Sequence, residues 1–203
     1  MRLTHSTWFA ALSGLCAYTL SSAASAEIGK PLDVVVSAER LFGIYGVERD
    51  YEPDDLDDDD DTSIGLLMQG YHLSPVTVPR VAIDVFIIDS LSLGGSLGLY
   101  SNDIGNSSGV LFAPRVGYAI EFNRQWGFWP KGGFTYYSQN NPDRGHFSLS
   151  MEGAFTFMPD PSFGFTATPF LDLGLGGEQD AGPVDIDYVD RAFGVALGLV
   201  VRF

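Results

Sequence analysis

An all-β fold, a single closed barrel of eight antiparallel strands, is what the 203-residue sequence predicts. Three observations carry that prediction. From about residue 32 onward, large apolar side chains alternate with small or polar ones at a period of two. The alternate face is mostly Gly, Ala, Ser and Thr, with about one charge per strand. The connections alternate long and short along the chain, the pattern of an up-and-down meander.

The first 26 residues stand apart from this pattern. Arg2 supplies a short positive region, residues 8–20 an apolar stretch, and Ala24-Ser25-Ala26 a small-residue A-x-A site. That order is the secretory signal-peptide pattern, with the cut placed after Ala26. Cys16, the only cysteine, leaves with it. The remaining chain, 27–203, is then one barrel domain with no disulfide or thiolate metal site.

The strands follow in order. The first spans about 33–47, and a long polar connection covers 48–78. Within that connection Ile64-Gly65-Leu66-Leu67-Met68 reads either as the upper part of strand two or as a hairpin in the loop. Val81, Ile83, Val85 and Ile87 mark a strand at 79–88, and the short Asp89-Ser90 turn leads to Leu91, Leu93, Leu97 and Leu99 at 91–101. Val110, Phe112, Pro114, Val116, Tyr118, Ile120 and Phe122 place the next at 109–122, and 127–138 follows a three-residue turn at 123–125. Phe147, Leu149, Met151, Phe155 and Phe157 give 146–158. After the turn at 159–162 come 163–176 and, beyond another long connection, 190–203.

The contrast between the two faces decides the class. A soluble barrel carries charge outside and its apolar face inside. Here the small face suits the cramped lumen of an eight-stranded barrel, and the large apolar face suits lipid. Aromatic residues gather at the strand ends: Tyr45, Tyr100, Tyr136 and Phe147 near the long loops, and Phe122, Trp126, Phe128, Phe157 and Phe203 near the short turns. Two such girdles mark membrane interfaces. The expected fold is therefore a transmembrane β-barrel behind a cleavable signal peptide. No apolar run reaches the roughly 18–20 residues of a spanning helix. A net charge of −15, with 11 basic against 26 acidic residues, argues against nucleic acid as a partner.

The final strand, Gly198-Leu199-Val200-Val201-Arg202-Phe203, resembles that of the small bacterial outer-membrane barrels of the OmpA-domain and OmpX type. Gly198, Val201 and the terminal Phe203 carry the likeness, and Ala196 departs from it where a polar residue is commoner. The resemblance implies export to the outer membrane of a Gram-negative cell. It implies outer-membrane lipid as surroundings and the barrel-assembly machinery as reader of the last strand.

Strand parity turns Asp84, Arg115, Glu121, Lys131, Glu152 and Asp172 into the lumen, with Glu39 expected beside them. Asp84, Arg115, Glu152 and Asp172 lie near one depth, where burial demands that they pair. Arg40, one residue from Glu39, would then face lipid unless it snorkels to the rim or a bulge intervenes. His146-Phe147-Ser148 resembles part of the His-x-Ser motif of outer-membrane lipid A deacylases, but both side chains share the lumen parity of Glu152. The acidic run Asp54, Asp55, Asp57, Asp58, Asp59, Asp60 and Asp61 lacks the spacing and internal Gly of a calcium loop. It reads as a solvated segment, with diffuse cation binding as its functional alternative.

No catalytic set, cofactor motif or metal site emerges. The role expected is non-catalytic: membrane stabilisation or contact at the cell surface, with an extracellular ligand the residues do not name. The alternatives are a narrow channel for ions or small solutes, a lipid-active enzyme, and a soluble lipocalin-like carrier. If the N-terminal reading is right, N-terminal sequencing of the exported protein will start at Glu27. A protein retaining Trp8 or Cys16 would contradict it.

Overall fold

The computed structural model describes residues 28–52, 59–66, 78–102, 107–140, 143–180 and 185–203. Ten strands are assigned: β1 (Val34–Glu52), β2 (Asp59–Leu66), β3 (Arg80–Ile88), β4 (Leu91–Asn102), β5 (Ser107–Tyr118), β6 (Ile120–Glu121), β7 (Trp126–Asn140), β8 (Arg144–Asp160), β9 (Phe163–Asp180) and β10 (Asp185–Arg202). All pairings are antiparallel, and β10 returns to β1 so that the sheet closes on itself. β6 continues β5 beyond Ala119 along the same neighbour, β7, and β2 pairs with β1. Eight staves therefore form the ring, as the period-two pattern predicts.

The boundaries agree with the sequence reading to within a residue or two, except on the loop side of β1, β9 and β10, which run four or five residues further. β1 runs on to Glu52, β8 begins at Arg144, β9 reaches Asp180 and β10 begins at Asp185. These extensions fall in stretches that composition assigns to loops. Beyond the membrane both faces of a strand meet water, so alternation fades while the backbone ladder continues. The segment around Ile64 resolves the same way. β2 is a hairpin partner of β1, with Ile44 opposite Ile64 and Val47 opposite Asp61. Asp59, Asp60 and Asp61 thus open a strand, while Asp54, Asp55, Asp57 and Asp58 lie outside the described residues, as does the signal segment.

The outer face is apolar across the middle of the ring: Val81, Ile83, Leu93, Leu97, Val116, Phe155, Val195 and Leu197 are all exposed. Tyr136 and Phe147 at one end, and Phe122, Trp126 and Phe203 at the other, point outward with them. Tyr45 departs from the predicted girdle: it shares the odd parity of Val35, Ser37 and Glu39 and is buried in the lumen, and the side chain of Tyr100 lies outside the described residues. A bulge interrupts β1. Ala38 sits opposite Leu199 and Phe42 opposite Leu197, so β1 carries two residues more than β10 over this interval. Arg40 takes a left-handed backbone conformation with φ of 55°. The bulge turns Glu39 and Arg40 both inward and, with two extra residues, leaves the parity above it unchanged: Tyr45, Val47 and Arg49 face the lumen as Val35 and Ser37 do. It also marks where β1 changes its second neighbour, from β3 at Glu39 to β2 at Phe42.

Gly198 stands across from this bulge. A Cβ there would lie 2.6 Å from the Ala38 carbonyl oxygen and 2.8 Å from Thr166 Oγ1, so a side chain at 198 would force the seam apart. A ring with no free edge resists detergent until heated. Unboiled protein in SDS should migrate apart from boiled protein, and Gly198→Val should lower the temperature at which the two bands merge. Identical migration with and without heating would speak against the closed ring.

Candidate functional site

Three layers fill the barrel. At the short-turn end, Ile28, Val35, Phe86, Trp129 and Met158 form an apolar cluster with Ala119, Ala154 and Val200. The Phe86 and Trp129 rings lie 5.3 Å apart, and Trp129 Nε1 donates to Ser92 Oγ at 3.2 Å. The segment before β1 folds in beneath it, with Ser90 N donating to Gly29 O at 2.7 Å and Leu32 N to Phe86 O at 2.8 Å. Five or six large side chains are enough to close a lumen of this width.

Above the apolar layer lies the charge network. Arg115 Nε donates to Asp84 Oδ1 at 3.0 Å while its Nη2 engages the other carboxylate oxygen. Arg115 Nη1 donates to Glu39 Oε2 at 2.7 Å, and Lys131 Nζ to Glu39 Oε1 at 2.8 Å. Arg40 bridges Asp172 at 2.8 Å and Glu152 at 2.9 Å, with its guanidinium 3.9 Å from the centre of the Phe170 ring. Glu152 also lies 3.5 Å from Arg115 and 3.8 Å from Lys131. Arg80 is buried in the same layer, within the field of Arg40, Glu152 and Asp172. Four cations face four carboxylates, so the layer is neutral as a whole.

Glu39, Asp84, Arg115, Lys131, Glu152 and Asp172 converge here, each from a different strand except Glu39, which shares β1 with Arg40. Glu121 does not join them. It keeps lumen parity but stands at the open short-turn rim, exposed to water on β6. Arg40 enters because the bulge turns two consecutive residues, Glu39 and Arg40, to the same side. Arg80 shares the parity of Ala82 and Asp84, a signal that would have found it. Glycine makes the room. A Cβ at Gly94 would meet the Asp84 carboxylate, and one at Gly133 would meet Arg115.

The third layer lies toward the long loops. Arg49 holds Asp190 in a bidentate pair, Nε to Oδ1 at 2.6 Å and Nη2 to Oδ2 at 2.9 Å. Arg49 also faces the Tyr188 ring at 5.1 Å. His146 stacks on that ring with centroids 5.7 Å apart and planes inclined by 14°. His146 and Ser148 both face the lumen, fully buried, and no group among the described residues hydrogen-bonds the His146 ring nitrogens or Ser148 Oγ. They are turned away from lipid, so a lipid-cleaving reading of this pair has no geometric support. The Arg49–Asp190 pair escapes sequence reading because Arg49 falls in a stretch read as loop. Asp190 shares the small-face parity of Ala192 and Gly194.

Removing one member of a buried ion pair leaves its partner uncompensated, at a cost of about 3–5 kcal/mol. Arg115→Ala should lower the urea midpoint accordingly. The double variant with Asp84→Asn should recover part of the loss, because the stranded carboxylate is then neutral. Equal midpoints for wild type and Arg115→Ala would place Arg115 outside the lumen.

No family model and no curated protein matches the sequence. Solved structures do match the fold. Neisserial surface protein A aligns with a TM-score of 0.53 at 11% identity, covering 87% of this chain and all of that one. The outer-membrane protein OprG of Pseudomonas aeruginosa aligns at 0.51 and 8% identity, covering 85% and 97%. The N-terminal β-barrel domain of OprF from the same organism gives 0.49 at 12%, covering 85% and 98%. Identities this low speak for backbone architecture alone. With a closed antiparallel ring, an apolar exterior and aromatic ends, this chain has the fold of the small bacterial outer-membrane β-barrels.

Proposed function

We propose that the protein works in the outer membrane as a closed, non-catalytic barrel, whose role is to brace the membrane and present its long-loop end to the surroundings. The observation that carries this reading is the filled lumen. An apolar layer and a neutral charge layer lie in series across it. The cavity bordered by Arg80, Arg115, Lys131, Ser150 and Glu152 measures about 10 Å³, room for one water. Fold-level likeness to surface proteins is compatible with this role but does not assign it.

The terminal strand supports a second part of the proposal. Phe203 points outward at the ring's edge, and its backbone N–H donates to Val34 O at 2.9 Å, next to the closing seam. Gly198, Val201 and Phe203 are proposed as the stretch read by the barrel-assembly machinery. Outer-membrane lipid is the proposed partner of the apolar face. For the acidic run, weak and salt-sensitive cation binding remains the proposal.

Planar bilayers test the main point against a narrow channel. The purified barrel should give no sustained conductance. Asp84→Ala with Arg115→Ala, which empties part of the charge layer, should at most produce brief openings, because the apolar layer below remains. A steady open-channel current from wild-type protein would overturn the closed-barrel reading.

A further inference from the structure

The apolar floor of the barrel is closed from two sources. Val35, Phe86, Trp129, Met158 and Val200 come from strands, whereas Ile28 comes from the segment ahead of β1 and is only 7% exposed. The two kinds of residue are held differently. Val200 sits in the ladder with Ser37 on one side and Gly164 on the other. The backbone bonds that tie the segment to the ring go to the end of β3 and the turn after it. Leu32 N donates to Phe86 O at 2.8 Å, Phe86 N to Asp33 O at 2.9 Å and Ser90 N to Gly29 O at 2.7 Å. A segment held along one edge opens locally at lower cost than a stave held along two.

Backbone strain is a second, independent observation. Five of the described residues have a positive φ, and three of them meet at this contact: Gly29 at 120°, Leu32 at 70° and Ser90 at 67°. Leu32 takes up its conformation while 81% exposed, so burial of its side chain does not offset the strain. Strain of this kind gathers at switch segments, where neighbouring contacts hold it in place. Gly29 lies at the contact itself. A Cβ there would come within 3.4 Å of both Ala119 Cβ and Ser90 Cα, at a φ that suits glycine alone. Beside Ile28 a groove of about 420 Å³, lined also by Lys30, Asp89, Tyr118 and Glu121, gives the side chain room to withdraw.

We propose that Ile28–Asp33 is a latch on the short-turn mouth, which opens and closes while the ring stays folded. Ile28 is the bolt and Pro31-Leu32 the hinge. With the latch open, the lumen floor around Trp129 meets water from the short-turn side and offers a place for one apolar side chain. The charge layer above stays shut in either position, so the latch goes beyond the closed-barrel reading and does not alter the conductance expected of it. The free swing of the bolt rests on the cut after Ala26, which leaves Glu27 alone ahead of it.

The mature chain has no cysteine once the leader is gone, so introduced thiols report singly. Ile28→Cys, Val200→Cys and Leu32→Cys are prepared in lipid nanodiscs, their N-termini fixed by mass, and reacted with a water-soluble maleimide under native conditions. Leu32→Cys should react fastest. Ile28→Cys should be about tenfold slower or more, and Val200→Cys about tenfold slower again, because only unfolding of the ring uncovers it. Adding Gly29→Val should bring the Ile28→Cys rate to within severalfold of Leu32→Cys, with the heat-shifted band retained. The proposal falls if Ile28→Cys reacts as slowly as Val200→Cys, since the segment is then a fixed part of the core. It falls equally if Ile28→Cys matches Leu32→Cys, since nothing then holds the mouth shut. Should Ile28→Cys lack the heat-shifted band, amide exchange of the protein with Ile28 intact decides. The Ser90 and Leu32 amides should exchange faster than those in the middle of β10, and equal protection overturns the latch. A mass that starts elsewhere than Glu27 corrects the cleavage site and leaves the latch to be judged by the rates.

Discussion

Eight strands enclose a space about as wide as the side chains that line it, and every polar group placed there must be answered from across the ring. That constraint organises the whole interior. It explains why the small face of each strand carries Gly, Ala and Ser at most positions and a charge at only one or two. It explains why each carboxylate of the middle layer is met by a cation from a different strand. Replacing such ions by apolar groups could stabilise a soluble core as well or better. In this barrel the arrangement also fixes register, because a one-residue slip would turn a charge out into lipid.

The bulge in β1 shows how closely register and chemistry are tied. Without it Glu39 and Arg40 would point to opposite sides, and one of them would sit in hydrocarbon. With it, Glu39 serves Arg115 and Lys131 while Arg40 serves Asp172 and Glu152. The same irregularity marks where β2 takes over from β3 beside β1. One left-handed residue and one glycine opposite it thus place two oppositely charged side chains in the lumen.

The sequence was informative where two environments differ across a strand and silent where they do not. Between the aromatic ends, lipid on one side and lumen on the other impose a period of two, and the staves and most of the charge layer follow from it. Arg40 could not be placed this way, because a bulge leaves no mark in hydropathy, whereas Tyr45 shares the parity of Ser37 and Glu39 and alternation alone turns it inward. Arg49 was hidden for a different reason: above the lipid both faces are polar, so strand and loop look alike in composition. Glu121 had the right parity and the wrong depth. Parity states which way a side chain points, and only the end of the strand shows that water reaches it.

The ion pairs also join distant parts of the chain. Asp84 and Arg115 are 31 residues apart, Glu39 and Lys131 are 92, and Arg40 and Asp172 are 132. The native partners of Glu39 and Arg40 on β1 arrive only with β5, β7, β8 and β9. A half-formed sheet lying in the bilayer would hold unmatched charges against hydrocarbon: Arg115 on β5 and Lys131 on β7 leave the layer with excess positive charge, and balance returns only when Glu152 on β8 and Asp172 on β9 arrive. Insertion one hairpin at a time is therefore penalised, and closure of the complete ring is favoured as a single event. The interior that keeps the finished barrel shut also makes its partly built forms poor residents of the membrane.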